Sequence, residues 1–200
     1  MFASETMAES LNTDAQQIAH GLRQRDLALL HELVAQYQYR LVRYLIYLTG
    51  SRDAVDDLVQ ETWLRVLERG RSYDGQSPFA PWLFAIARNL AIDHLRKRRV
   101  FSLDGDDDAD DAANPARSLA SAEPSPFEQA ARTEDAQHLA AVLQTLAPIY
   151  REALVLRFQE ELSLQQIADL AGASVSTVSS RIQRGLAALR TQMEGAHHAN

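Results

Sequence analysis

Asp53, Asp57 and Glu61 stand four residues apart, a spacing that sets three carboxylates along one face of a helix. Such a row could hold a metal ion or move protons. The neighbouring sequence offers no His or Cys to complete a ligand set, and metal centres draw their ligands from several elements. A metal-dependent hydrolase built on this helix would lack those ligands, so no metal site, catalytic residue or cofactor is expected. Three acids in a row more commonly make a solvated or partner-docking face. Asp53 and Asp56 also suit a helix N-terminus, where the partial positive charge favours acids.

Residues 73–99 interleave aromatic and basic side chains: Tyr73, Phe79, Trp82 and Phe84 precede Arg88, Asn89, Arg96, Lys97, Arg98 and Arg99. Aromatic rings can stack on an unpaired base while basic groups hold the backbone, the chemistry of single-stranded nucleic acid. Freeing a base from the duplex costs on the order of a few kcal/mol, so a pocket that accepts it lowers the barrier to strand opening. The competing reading puts Trp82 and Phe84 in the core, and at least one of them is expected there. Further on, Ser163 and Gln166 form a capping box, Gly172 permits a tight turn and Ser174 can cap a second helix. That second helix turns Val178, Ile182, Leu186 and Leu189 inward and Ser176, Thr177, Ser180, Arg181 and Arg184 outward. The pattern is a helix-turn-helix, whose second helix enters the major groove with short hydroxyl side chains and arginines at base edges or phosphates. An ordinary helical hairpin with solvated arginines is the plainer alternative.

Helical periodicity positions all of these residues, and no run alternates with a period of two. Residues 15–49 read as one or two helices, with Gly50 ending the last and Ser51 suited to capping the next. Residues 52–69 read as an amphipathic helix with Val55, Leu58, Thr62 and Val66 on one stripe. A loop over 70–80 leads to a helix with Pro81 in its first turn, running into the basic cluster 96–99. Residues 102–126 combine acids with Pro115, Pro124 and Pro126, a composition that cannot bury enough apolar surface to fold alone. Helical pattern resumes near Phe127, breaks at Pro148, continues to Phe158 and returns after Ser163 and Ser174.

The chain has 200 residues, is 46% hydrophobic and contains no cysteine. It is therefore not a disordered chain, has no disulfide or thiolate-metal framework, and suits a reducing cytoplasm, where it is expected to act. The N-terminus lacks the pattern of a signal peptide, and Leu41 to Leu48 is too short to span a bilayer, so no membrane insertion is expected. The net charge of −7 looks wrong for a nucleic-acid binder until it is placed. Residues 101–137 hold ten acids against Arg117 and Arg132, a local charge of −8, which leaves the remaining residues at +1. Local potential, not the total, governs encounters with phosphates.

Three runs carry a family resemblance. AVDDLVQETWLRV at 54–66 resembles region 2.2 of sigma factors of the extracytoplasmic-function (ECF) group, and PWLFAIARNLAIDHLRKRR at 81–99 resembles the adjoining regions 2.3–2.4. LAPIYREALVLRF at 146–158, followed by LSLQQIA at 162–168 and STVSSR at 176–181, resembles region 4. The resemblance implies an all-α fold of two small helical domains joined by a flexible acidic linker. Its implied layout is an N-terminal extension at 1–24, a region 2 domain at 25–100, the linker at 101–127, a region 4 domain at 128–191 and a disordered tail at 192–200.

The same resemblance implies a non-enzymatic initiation factor with three partners: core RNA polymerase, promoter DNA and an anti-sigma protein. Asp53, Asp56, Asp57, Leu58, Gln60 and Glu61 would dock on the polymerase. Phe79, Trp82, Arg88, Asn89, Asp93, Arg96 and Lys97 would open and read the −10 element. Ser176, Thr177, Ser179, Ser180, Arg181 and Arg184 would read the −35 element. Ser179 stands where many relatives have Lys, and Gly185 stands where Ala is usual, at about 1 kcal/mol of local helix stability. A conventional helix-turn-helix regulator is the alternative, and it leaves the acidic and aromatic motifs unexplained.

Overall fold

The computed structural model describes residues 14–103 and 134–197, and among these every regular element is helical. Helix α1 (residues 14–24) turns sharply at Arg25, whose φ is 57°, into α2 (Leu27–Thr49). Asp26 caps α2, its Oδ1 accepting from the Ala28 and Leu29 amides at 2.9 and 3.3 Å. Gly50, in the left-handed region at φ 72°, closes α2 by donating to the Ile46 carbonyl. Ser51 does not cap the next helix directly. Its Oγ accepts from the Asp53 amide at 3.2 Å and so shapes the turn before α3 (Val55–Arg69).

Along α3 the stripe Val55, Leu58, Val59, Thr62, Trp63 and Val66 is buried against α2 and α4 (Phe79–Leu103). Thr62 tolerates full burial because its hydroxyl donates to the Leu58 carbonyl at 2.6 Å. Leu41, Tyr44 and Leu45 of α2 meet Leu83, Phe84 and Ala87 of α4 at the centre of this bundle. Ala15, Ala19 and Leu22 of α1 enter the same core, so part of the segment assigned to an extension is structural.

The second half contains α5 (Glu134–Thr145), α6 (Pro148–Leu154), a π-helical turn (Val155–Gln159), α7 (Leu164–Ala171) and α8 (Val175–His197). Pro148 occupies the first turn of α6, where its missing N–H costs nothing. The helical pattern expected from Phe127 to residue 133 lies outside the described residues, as does the acidic run from Asp104. Helix α8 continues to His197, through most of the stretch assigned to a disordered tail. Gly185 has a packing reason: a Cβ there would lie 3.0 Å from Leu154 Cδ1 and 3.4 Å from Tyr150 Cβ, so α6 and α8 cross closely. Among the described residues no helix is long and apolar enough to cross a membrane.

The two halves touch, and their contact is polar at its centre. Glu160, whose side chain is 0% exposed, accepts from Arg40 Nε at 2.8 Å and lies 3.4 Å from Arg43 Nη2. Glu152 Oε1 accepts from Tyr44 OH at 3.1 Å and from Arg88 Nε at 2.7 Å. Arg151 donates to the Tyr47 carbonyl at 3.0 Å and to the Leu146 carbonyl at 3.1 Å, and it also bonds Gln144. Burial lowers the pKa of Arg151. Burial first, then the Glu152 charge, pushes the Tyr44 phenol well above its ordinary value.

Candidate functional site

Three surfaces gather the chemistry-bearing residues. On the first, Asp56 and Asp57 occupy the first turn of α3, and Asp53, Asp56, Asp57 and Gln60 are exposed. Glu61 is half-buried and paired with Arg65 at 3.0 Å. Leu58 is 7% exposed and belongs to the core, so it supports this face without presenting a side chain to a partner. Among the described residues no cluster of three or more His, Cys, Asp or Glu could hold a metal ion. Beside the acids runs a groove between α2 and α3, lined by Gln38, Asp56, Gln60, Trp63, Leu64 and Leu67. Trp63 Nε1 donates to Gln38 Oε1 at 3.0 Å, which fixes the groove wall. Leu64 is 45% exposed, so an apolar floor lies beside an acidic rim. Sequence reading missed Gln38 and Trp63 for this site because a helix-to-helix pairing over 25 residues leaves no periodic trace.

The second surface is α4. Asn89, Asp93, Arg96 and Lys97 are exposed, and Asp93 lies 3.3 Å from Arg96. Trp82 is half-buried, its ring 5.2 Å from that of Tyr73. Phe79 is 2% exposed, enclosed by Tyr37, Tyr73 and Trp82 at centroid distances of 5.4, 5.6 and 5.7 Å. It is a core aromatic rather than a stacking platform, because its ring faces other rings on all these sides. Phe84 is fully buried as well, as the competing core reading allowed. Arg88 is brought close to the others but its guanidinium is held by Glu152.

The third surface is the α7–α8 pair. Ser163 Oγ accepts from the Gln166 amide at 3.2 Å, and Gln166 Oε1 accepts from the Ser163 amide at 2.8 Å, completing the capping box. Gly172 turns the chain at φ 60°. Ser174 Oγ accepts from the Thr177 amide at 3.1 Å, so α8 begins where the sequence placed it. Ser176, Thr177, Ser180 and Arg184 are exposed, and Ser179 and Arg181 are half-buried at the edge of the same face. Val178 and Ile182 are buried opposite them. The outward face of α8 opens with hydroxyls and continues with arginines, side chains able to reach base edges or phosphates in a major groove.

Comparison with known proteins identifies the family. Residues 33–100 match the family model for sigma-70 region 2, and residues 137–189 match that for sigma-70 region 4. The ECF RNA polymerase sigma factor SigX of Bacillus subtilis is 31% identical over 166 residues, covering 79% of this chain and 80% of SigX. In Xanthomonas campestris, RfaY, named as a probable RNA polymerase sigma factor, is 33% identical over 162 residues; the match covers 80% of this chain and 39% of RfaY. The sigma factor RpoE of Bartonella quintana, solved with the anti-sigma factor NepR, has a similar fold. Its TM-score is 0.68 at 24% identity, over 82% of this chain and 96% of that one. With two region models in order and a relative matched over four-fifths of its length, this chain belongs to the ECF group of the sigma-70 family of transcription initiation factors.

Proposed function

We propose that this sigma factor, acting in the cytoplasm, divides promoter selection among its three surfaces. Asp53, Asp56, Asp57, Gln60 and Glu61 dock on core RNA polymerase, with the apolar floor at Leu64 and Leu67 taking the partner's apolar side chains. Trp82, Arg88, Asn89, Asp93, Arg96 and Lys97 open and read the −10 element as single strand. Ser176, Thr177, Ser179, Ser180, Arg181 and Arg184 read the −35 element as duplex. Phe79 and Leu58 serve these surfaces from behind. The domain layout follows: residues 25–100, with α1 packed onto them, work as the region 2 unit, 128–191 as the region 4 unit, and 101–127 as the acidic connection. An anti-sigma protein is the proposed negative partner.

The observation that carries this reading is the face of α8, with its buried Val178 and Ile182 and its outward run of Ser176, Thr177, Ser180, Arg181 and Arg184. Reconstituted transcription with core polymerase on fragmented genomic DNA tests it. Discrete new RNA 5′ ends that share two upstream elements are the expected result. Binding of duplex DNA by the chain alone, with no new starts, would instead point to a conventional regulator. Asp57→Arg is expected to weaken core binding severalfold while leaving −35 duplex recognition intact; undiminished core affinity would remove the docking assignment.

A further inference from the structure

Helix α1 precedes the residues that match region 2, yet it is packed into that domain's core, with Ala15, Ala19 and Leu22 at 3%, 0% and 5% exposure. Besides Leu29 of α2, it packs against the segment leading into α4. Gly75, at φ +74°, has no room for a side chain. A Cβ there would lie 2.9 Å from the Ala15 carbonyl oxygen, 3.1 Å from Ala19 Cβ and 3.1 Å from Gln16 Cα. A turn further along α1, Leu22 sits against Gly70, where an added Cβ would come within 3.1 Å of Leu22 Cβ. Helix α1 therefore grips the segment at two points, residues 70 and 75.

The loop itself is thinly held. Asp74, Gln76, Ser77 and Pro78 are exposed, and its side-chain bonds are local. Gln76 N donates to Asp74 Oδ1 at 2.9 Å, and Tyr73 OH donates to the Ser77 carbonyl at 2.5 Å. Tyr73 connects this loop to α4: its buried ring lies 5.6 Å from Phe79 and 5.2 Å from Trp82. A displacement at Gly75 is thus passed through two residues to the ring against which Trp82 rests, and close-packed interiors transmit such shifts.

We propose that α1 is a positioning element of the −10 reader, in which the small size of Ala19 and Gly75 sets the seat of the 73–78 loop and, through Tyr73, the orientation of Trp82. The inference rests on the assignment of Trp82 to −10 reading. The three atoms nearest the place of a Gly75 side chain all belong to α1, and a bulkier residue on either side of that contact pushes the loop away from α1.

The test uses the full chain with its matched core polymerase and a promoter library varied at the −10 element. Ala19→Leu, Ala19→Ser and Gly75→Ala are compared with the parent by the ratio of transcription from the best −10 sequence to that from single-base variants. Ala19→Leu and Gly75→Ala are expected to lower that ratio about fivefold or more, the discrimination of one base pair. The ratio for −35 variants and the core affinity stay at parental values. A purely structural α1 would instead reduce transcription from every −10 sequence equally and leave the ratio unchanged, which overturns the proposal. If Ala19→Leu fails to fold by circular dichroism, Ala19→Ser and Gly75→Ala make smaller changes at the same contact and decide the matter. Trp82→Ala is measured in parallel. An unchanged ratio there defeats the −10 assignment and the inference with it; a changed ratio with inert α1 variants defeats the inference alone.

Discussion

Arg181 lies at the rim of the α8 face, half-buried. A bidentate contact from such a side chain to a guanine edge discriminates by about 1–3 kcal/mol. Arg181→Ala is therefore expected to reduce preference for the favoured −35 sequence by that amount, measured as competition between promoters differing at single −35 positions. Equal loss on every sequence would assign Arg181 to phosphate. Tyrosines give a second handle. Tyr37 and Tyr44 have raised pKa values through burial, and burial pushes Tyr73 up to about 12. Because the folded state holds these protons more tightly than the unfolded chain, stability is full below pH 10. It falls between about 10 and 12 as the unfolded phenols ionise first. Tyrosinate absorbance from these three phenols, rising together with loss of helix and not before it, is the expected signature. Residue by residue, the sequence was a good guide to polarity and a poor one to depth. Asp53, Asp57, Asn89 and Arg184 lie outside as expected, whereas Phe79 lies inside, since an aromatic before a helix reads the same whether it faces solvent or Tyr37.

Helices declared themselves through local signals, and those signals have measurable worth. Both bonds of the Ser163–Gln166 capping box are formed, so Ser163→Ala is expected to lower the unfolding free energy of the chain by about 1 kcal/mol in denaturant titration. Gly185 makes the opposite point. From sequence alone it is a weak place in a helix; against Leu154 and Tyr150 it is what lets α8 cross α6 closely. Gly185→Leu gains helix propensity but overpacks this crossing, and a net loss of about 1–3 kcal/mol is expected in the same titration. Capping boxes, left-handed glycines and apolar stripes were legible because each is a property of a few neighbouring residues. The role of α1 was not legible, since Ala15, Ala19 and Gly75 have meaning only once the chain has folded back over some sixty residues. The π-helical turn at Val155–Gln159 was likewise hidden, there being no residue type that demands it.

At the scale of the molecule, the contact between the halves was invisible in the sequence: Arg88 read as a −10 contact, and nothing marked Arg40, Arg43, Glu152 and Glu160 as its companions across more than sixty residues. The structure buries Glu160 completely between two arginines. A carboxylate in that position is tolerable only while its partners remain; stripping them away strands a buried charge at a cost of about 3–5 kcal/mol. Arg40→Ala with Arg43→Ala is expected to separate the halves rather than unfold them, since separation returns Glu160 to water. The cysteine-free chain allows the distance to be read from dyes on Arg71→Cys and Gln183→Cys, both exposed positions. Unchanged energy transfer in the double variant would show that the apolar part of the contact suffices.

The Arg88–Glu152 bond of 2.7 Å has a geometric consequence on a promoter. The centres of the −10 and −35 elements lie roughly 25 base pairs apart, about 85 Å of duplex at 3.4 Å per base pair. Two touching domains of this size place their centres only about 30 Å apart. The arrangement in which Arg88 grips Glu152 therefore cannot straddle both elements, and reading the promoter means drawing the chain out to nearly three times its closed reach. A partner that needs the outstretched chain binds with an apparent affinity scaled down by the fraction of molecules already outstretched. A partner that opposes transcription need only keep the arginines of one half, Arg40, Arg43 and Arg88, on the glutamates of the other.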